Sequence, residues 1–227
     1  MIELIAVNHQ VDTDYAHLHI LKDINVKIAS GESVAITGSS GSGKTTLLGM
    51  LAGLDVPSSG SIIVNKHDIS LMNEDERALF RAQNVGFVFQ SFHLLDGLTA
   101  LENVLLPLEL AGNIDGKQEA INYLEKVGLS HRLQHYPSQL SGGEQQRVAI
   151  ARAFAAKPKY LFADEPTGNL DQNTGGHIID LLFELNNSQQ TTLILVTHEQ
   201  RLADFCQRHL VIENGQLSEN IRSTDKA

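Results

Sequence analysis

Three short stretches of the chain are continuously apolar: Ser33–Thr37 (SVAIT), Tyr160–Ala163 (YLFA) and Leu193–Thr197 (LILVT). Runs of this length, closed off by polar residues, predict strands buried on both faces of a parallel sheet. Each ends in residues that carry chemistry: a glycine-rich loop after the first, Asp164-Glu165 after the second, His198 after the third. In open α/β sheets ligands bind beyond the carboxyl ends of the strands, so the three strands are expected to serve one site.

Other segments alternate. His17–Ala29 (HLHILKDINVKIA) switches between apolar and polar positions, as half-exposed antiparallel strands do, and Ser61–Ile69 (SIIVNKHDI) predicts one more strand of that kind. In His209–Leu217 (HLVIENGQL), Asn214-Gly215 sits between two short runs and predicts a type I′ hairpin. From Ser91 to Ala155 the period becomes helical. Ala120, Ile121, Leu124 and Val127 share one side of a predicted helix that Gly128 caps. In Leu140–Phe154 (LSGGEQQRVAIARAF), Gly142 and Gly143 bare the backbone at a helix start, and Val148, Ile150, Ala151 and Phe154 form its apolar stripe. The expected organisation over residues 1–227 is one α/β domain. Its core with an antiparallel β subdomain takes 1–90 and 156–219, a helical subdomain is inserted at 91–155, and a polar tail frays at 220–227.

Composition narrows the class. A chain of 227 residues is long enough for a sizeable core, and a formal net charge of −10 argues against a broad nucleic-acid-binding surface. The single cysteine, Cys206, excludes an internal disulfide and reads as packing. No apolar run approaches the roughly 20 residues that span a bilayer, and the first residues, MIELIAVNHQ, are unlike a secretory signal. The expectation is a cytosolic protein unless something else holds it at a membrane. His17 and His19 point the same way on a strand, but no acidic or cysteine cluster accompanies them, so a solvated strand face is the favoured reading over a metal site.

The chemistry concentrates in a few places. Gly38, Ser39, Ser40, Gly41, Ser42, Gly43, Lys44 and Thr45, followed by Thr46, fit G-x-x-x-x-G-K-[ST] between a predicted strand and an apolar helix start. That loop wraps nucleotide phosphates in backbone amides, Lys44 reaches the β- and γ-phosphates, and the Thr45 hydroxyl can bind Mg²⁺. Asp164 closes a buried strand, where such NTPases hold Mg²⁺, and Glu165 beside it is placed to act as a general base on water. His198 reads either as a structural residue or as a γ-phosphate contact. Gln90, after VGFVFQ, is a neutral amide that can sense Mg²⁺ and water, and by its chemistry alone supports a structural role equally well. The start of the LSGG helix is a second anion-favouring helix N-terminus in the same chain.

LSGGEQQ (Leu140–Gln146) resembles the signature motif of ATP-binding-cassette (ABC) ATPases. In the order that family keeps come the Walker A loop, Gln90 as Q-loop, Asp164-Glu165 as Walker B, GNLD (Gly168–Asp171) as D-loop and His198 as switch histidine. FVFQSFHLLDGLTALENVLLPL and LFADEPTGNLD resemble the branch that holds the lipoprotein-releasing ATPase LolD, the macrolide-exporter ATPase domain of MacB and FtsE. Within it the motifs resemble YbbA-type proteins.

The resemblance implies a P-loop NTPase fold with a RecA-like parallel-sheet core, and a transport-coupled ATPase that uses ATP and Mg²⁺. It implies a head-to-tail homodimer in which Ser141, Gly142, Gly143 and Glu144 of one copy face the ATP held by the other copy's phosphate loop. Glu165 would be the base, His198 and Lys44 the γ-phosphate contacts, and Thr45, Gln90 and Asp164 the metal-side residues. Asp171 would help set the dimer interface. The partner would be a separate integral membrane permease of the MacB, FtsX or LolCE-like type, met through Ser91–Val104, with the chain peripheral on the cytoplasmic face of the inner membrane. The cargo class is lipid, lipoprotein or amphipathic compounds.

Two alternatives accompany this: force transmission without transport, as in FtsE, and a soluble nucleic-acid- or ribosome-associated cassette. The acidic charge and the lack of a coiled coil or a second cassette count against the latter. The resemblance also shows a departure. The family's adenine-stacking aromatic falls at about Val11 here, leaving His9 or Tyr15 as substitutes.

Overall fold

The computed structural model describes residues 1–13 and 16–219, so Tyr15 and the tail predicted to fray at 220–227 lie outside it. The chain begins with β1 (Ile2–Thr13), β2 (Ala16–Ile28), β3 (Ser33–Thr37), α1 (Lys44–Leu51), β4 (Ser59–Val64) and β5 (His67–Asp68). There follow α2 (Glu74–Asn84), β6 (Val85–Phe89), α3 (Ala100–Leu110), α4 (Gly116–Lys126) and α5 (Gly142–Ala155). It closes with β7 (Tyr160–Asp164), α6 (Gln172–Gln189), β8 (Thr192–Val196), α7 (Gln200–Ala203), β9 (Arg208–Glu213) and β10 (Gln216–Glu219). The backbone divides into two compact units, one from Met1–Arg77 with the segment from Ile194 onward, the other Ala78–Leu193.

In the first unit, β1 runs antiparallel to β2 and to β4, giving a sheet ordered β2-β1-β4-β5. The alternation read from the sequence is its two faces: Ile2, Leu4, Val7, Leu21, Ile24, Ile28, Ile62 and Val64 are buried. SIIVNKHDI, expected to be one strand, is a hairpin. Asn65 and Lys66 both adopt left-handed backbone (φ 50° and 71°), turning β4 into β5. Lysine at the second turn position, where glycine is the usual signal, hid this from the pattern. The predicted Asn214-Gly215 turn has the same character (φ 51° and 78°), with Glu213 opposite Gln216. A second sheet orders β10-β9-β3-β8, with β3 parallel to β9 from Val34 opposite Arg208 to Thr37 opposite Val211.

In the second unit, β6 and β7 are parallel, Val85 facing Tyr160 and Phe89 facing Asp164. The helices α3, α4 and α5 pack on one another, and α5 also packs on β6. The α5 stripe of Val148, Ile150, Ala151 and Phe154 is buried as its spacing predicts. On α4, Ala120 and Leu124 are buried, but Tyr123 takes the place expected of Ile121, which is half-exposed. α4 ends as foreseen at Gly128: its amide bonds the Glu125 carbonyl (2.8 Å), the next amide, of Leu129, bonds Leu124 (2.7 Å), and Leu129 is buried. α2 is an element the sequence reading did not assign; it is rich in charged residues and none of its residues is fully buried. Cys206 is buried, as a packing residue should be.

Candidate nucleotide site

In the first unit the loop between β3 and α1 leaves Thr37 and enters the helix at Gly43, which has φ 102° and no side chain to cap the helix. The first amides of α1 are therefore offered outward, the arrangement that binds an anion. Two glycines are needed for shape. A Cβ on Gly38 (φ 152°) would run into the Ile212 carbonyl, and one on Gly43 would press on Leu21 and Ile20 at 3.0–3.3 Å. The Lys44 ammonium arches back over this loop, donating to the Gly38 and Ser39 carbonyls at 2.9 and 2.8 Å. Ser39, Ser40, Gly41 and Thr45 are exposed and Thr46 is half-buried, while the buried Ser42 hydroxyl has no protein partner.

β8 ends beside β3, with the Thr197 amide bonded to the Ile36 carbonyl at 3.2 Å. His198, the next residue, is exposed at the same end of the sheet as the phosphate loop. Two of the three predicted strand-end contributions thus come together inside one unit.

The second unit gathers the rest. Asp164 closes β7 opposite Phe89, so Gln90 and Glu165 leave neighbouring strands side by side. Glu165 has left-handed backbone (φ 47°), a conformation that costs a non-glycine residue on the order of 1 kcal/mol and is common where a side chain is aimed for function. The turn it opens closes with the Gly168 amide on the Glu165 carbonyl at 3.0 Å. Buried Gln146 of α5 donates to the Pro166 carbonyl in that turn (2.7 Å), tying the LSGG helix to the acidic strand end.

The LSGG helix starts at Gly142, as the glycine pair suggested. Ser141 is its N-cap, in a reciprocal box with Glu144. The Ser141 amide and hydroxyl both donate to the Glu144 carboxylate, at 2.8 and 2.9 Å, and the Glu144 amide donates to the hydroxyl at 3.3 Å. Arg132 donates to the other Glu144 oxygen at 2.9 Å. The Ser141 amide above all, helped by the Ser141 hydroxyl and Arg132 against the cost of burial, holds the Glu144 carboxyl down at about 2. Gly142 and Gly143 supply the helix's first amides. Asp171 of the D-loop caps α6, accepting from the Asn173 and Thr174 amides at 3.1 Å, and bonding to Thr174 lowers its pKa.

Three participants make contacts that the sequence reading assigned to none of them, although Asn169 lies in the GNLD stretch and Arg152 in the LSGG helix. Arg132 is one. Asn169 is another: its side-chain nitrogen donates to the Gln90 carbonyl (2.9 Å) while its oxygen accepts from the Gln90 side-chain nitrogen (3.2 Å). Arg152 is the third. Its guanidinium donates to the carbonyls of Phe92 (2.9 Å) and His93 (2.5 Å), two consecutive residues in left-handed backbone just after Gln90. Burial pushes its pKa down.

The donors of the metal-side residues are all oxygens: the Thr45 hydroxyl, the Gln90 amide and the Asp164 carboxylate. Among the described residues no cluster of three His, Cys, Asp or Glu exists. Mg²⁺ keeps waters and phosphate oxygens and asks for one or two protein oxygens, so oxygen donors of these kinds suit it. At the base end, Val11 is exposed and pairs with exposed Leu18. His19 is exposed and bonds Asn8, and the His17 side chain lies outside those described.

The model of the ABC transporter family matches residues 21–168, more than half of the chain. The chain belongs to the ABC transporter family. As an ABC ATPase, it binds and hydrolyses ATP. It is 51% identical over 204 residues to the lipoprotein-releasing system ATP-binding protein LolD of Legionella pneumophila (strain Paris), covering 89% of this chain and 90% of that one. It is 54% identical, with the same coverage, to the uncharacterized ABC transporter ATP-binding protein YbbA of Escherichia coli (strain K12). Its fold matches the ATP-binding cassette MJ0796, solved as a dimer in a post-hydrolysis state bound to ADP and Pi. The TM-score is 0.90 at 38% identity, over 97% of this chain and 98% of that one. The fold class read from the motifs is therefore that of this ABC ATPase. No helix among the described residues is long and apolar enough to cross a membrane.

Proposed function

We propose that the chain is the ATPase subunit of a membrane complex that works as a head-to-tail homodimer. In this reading each ATP is held by the phosphate loop of one copy and the Ser141-Gly142-Gly143 helix start of the other. The observation that carries it is the presence of two anion-favouring helix starts, α1 and α5, in a chain whose fold matches a dimeric cassette bound to ADP and Pi. ATP closes the pair, and hydrolysis opens it to drive a separate transmembrane permease of the MacB, FtsX or LolCE-like type. The likeness to LolD favours export or extraction of lipid, lipoprotein or amphipathic compounds, with this chain peripheral on the cytoplasmic face of the inner membrane.

In the catalytic step Lys44 leaves the Gly38 and Ser39 carbonyls for the β- and γ-phosphates, compensating charge that builds there. Glu165 takes a proton from the attacking water on its carboxylate, and His198 contacts the γ-phosphate. Thr45, Gln90 and Asp164 would hold Mg²⁺, which when bound offsets phosphate charge and orients the γ-phosphoryl group.

The test is a pull-down of tagged Glu165→Gln protein from detergent-solubilised membranes in the presence of ATP. Co-purification of a polytopic membrane protein with a large extracytoplasmic domain is the expected result. Recovery with nucleic acid or ribosomes alone overturns the transporter reading and leaves the ATPase standing.

A further inference from the structure

The Gln90 side chain lies against the turn that carries Glu165. A Cβ on Gly168 would stand 2.7 Å from Gln90 Nε2 and 3.0 Å from its Cδ, so only a residue without a side chain leaves the amide room there. Beside it, Asn169 closes a two-bond ring with Gln90, one bond to its backbone and one to its side chain.

The chemistry of that ring has a direction. A backbone carbonyl can only accept, so the Asn169 end facing Gln90 O must be the NH₂ group. That leaves the Asn169 oxygen toward the Gln90 side chain, and an oxygen can only accept, so Gln90 presents its own NH₂ there. The remaining end of the Gln90 amide is Oε1, the one atom of the group that a cation can take. An amide without this ring is close to symmetric in shape and can turn its nitrogen to the same place.

We propose that Asn169 is a positioning residue that fixes which end of the Gln90 amide is offered to a divalent cation. This rests on the reading of Gln90 as a metal-side residue and adds how its oxygen is selected. Because Gly168 bonds back to the Glu165 carbonyl, the same turn that aims Glu165 also sets the polarity of the Gln90 amide. An aspartate at 169 would keep the acceptor toward Gln90 Nε2 but turn a second oxygen on the Gln90 carbonyl. An alanine would remove both bonds.

Asn169 is exposed, so truncating it leaves the core in place, and a thermal melt checks this. Two readouts then decide. In metal-free protein with ¹⁵N-glutamine labelling, the parent should show a Gln90 side-chain amide with slowed exchange and a shift away from free glutamine. N169A should lose both features. In the Glu165→Gln background with ATP, Mn²⁺ binding followed by electron paramagnetic resonance should weaken on the order of 10-fold in N169A, the low end for a residue that orients a metal ligand. ATP affinity without metal should be unchanged, and N169D, which keeps the acceptor toward Gln90 Nε2 but loses the bond to the Gln90 carbonyl, should weaken Mn²⁺ binding less than N169A does.

Unchanged Mn²⁺ affinity in N169A, with Q90A weakened, overturns the role of Asn169 and leaves Gln90 as a ligand. Unchanged affinity in both overturns the metal-side reading of Gln90 and the inference with it.

Discussion

The hydroxyl of Ser141 donates to the carboxylate of Glu144 at 2.9 Å, and the same carboxylate accepts from the Ser141 amide at 2.8 Å. In the single chain the signature serine is therefore spent on its own helix. To donate to a phosphate oxygen the hydroxyl must turn away from Glu144, and Arg132 on the other carboxylate oxygen steadies the charge left behind. Glu144 is thus the cap of α5 before it is anything else.

This sets an acid limit on stability. A carboxyl held at about 2 in the folded chain, against about 4.3 unfolded, contributes above pH 4.3 and loses that contribution as pH falls toward 2. Urea melts at pH 7 and pH 3 should show Glu144→Ala costing about 1 kcal/mol at pH 7 and about half of that at pH 3, the rest being lost only as the pH falls through about 2. Equal losses at both pH values would show that the carboxylate's ionisation is not what the cap uses.

Ser141→Arg places a long cation on the first turn of α5 and removes the cap. Single-chain ATP binding to the phosphate loop should survive, and ATP-dependent dimers of the Glu165→Gln background should vanish on size-exclusion chromatography. Normal hydrolysis by Ser141→Arg would show that the LSGG helix start does not serve a partner's nucleotide.

Glu165 couples chemistry to backbone strain. Glu165→Gln keeps the left-handed residue but not the base, so turnover should fall by at least 100-fold while ATP is retained. Glu165→Gly should also lose turnover, yet melt within about 1 kcal/mol of the parent or higher, since glycine takes φ 47° without strain. A markedly less stable Glu165→Gly protein would mean that the side chain holds the turn rather than strains it.

At the base end, Val11 and its strand partner Leu18 offer aliphatic surface where the family's aromatic would stack on adenine. Val11→Tyr should tighten ATP binding by about 0.5–1.5 kcal/mol, read by competition with a fluorescent nucleotide. The parent should separate ATP from GTP poorly. Strong adenine preference in the parent, unmoved by Val11→Tyr, would place base recognition elsewhere.

What the sequence disclosed follows from distance along the chain. β3, β7 and β8 were legible because each is buried over nearly its whole length, and α5 because its stripe is local. The phosphate loop, the acidic pair and the LSGG start declare themselves by spacing alone. β5 was hidden by a lysine in its turn, and α2 by its strongly polar composition, which leaves few apolar positions to mark a face. The contacts of Asn169 and Arg152 stayed silent for another reason, although both residues lie in recognisable motifs: their partners are 79 and about 60 residues away, and no local period records a hydrogen bond made by the fold. The N-cap role of Ser141 is legible without the fold, since Ser141-x-x-Glu144 is a capping-box pattern.

Arg152 supplies the last prediction. Its guanidinium holds two consecutive carbonyls, Phe92 and His93, whose left-handed backbone (φ 60° and 48°) bends the chain just beyond Gln90. His93 also stacks on Phe89, with ring centroids 4.5 Å apart, so the bend is pinned from both sides. A lysine keeps the charge but not the fork: Arg152 reaches the two carbonyls with two separate, diverging nitrogens, and a lysine ends short of both in a single point charge. Arg152→Lys should therefore cost about 1.5–3 kcal/mol, the range for a hydrogen bond to a charged group, and should loosen residues 91–98 more than the rest of the unit. Limited proteolysis, mapped by mass spectrometry, should show new cleavage in that segment under conditions where the parent is intact. A global loss of stability with no preference for 91–98 would make Arg152 a core residue of α5 and nothing more, whereas selective opening there would make it the clamp on the backbone that carries Gln90.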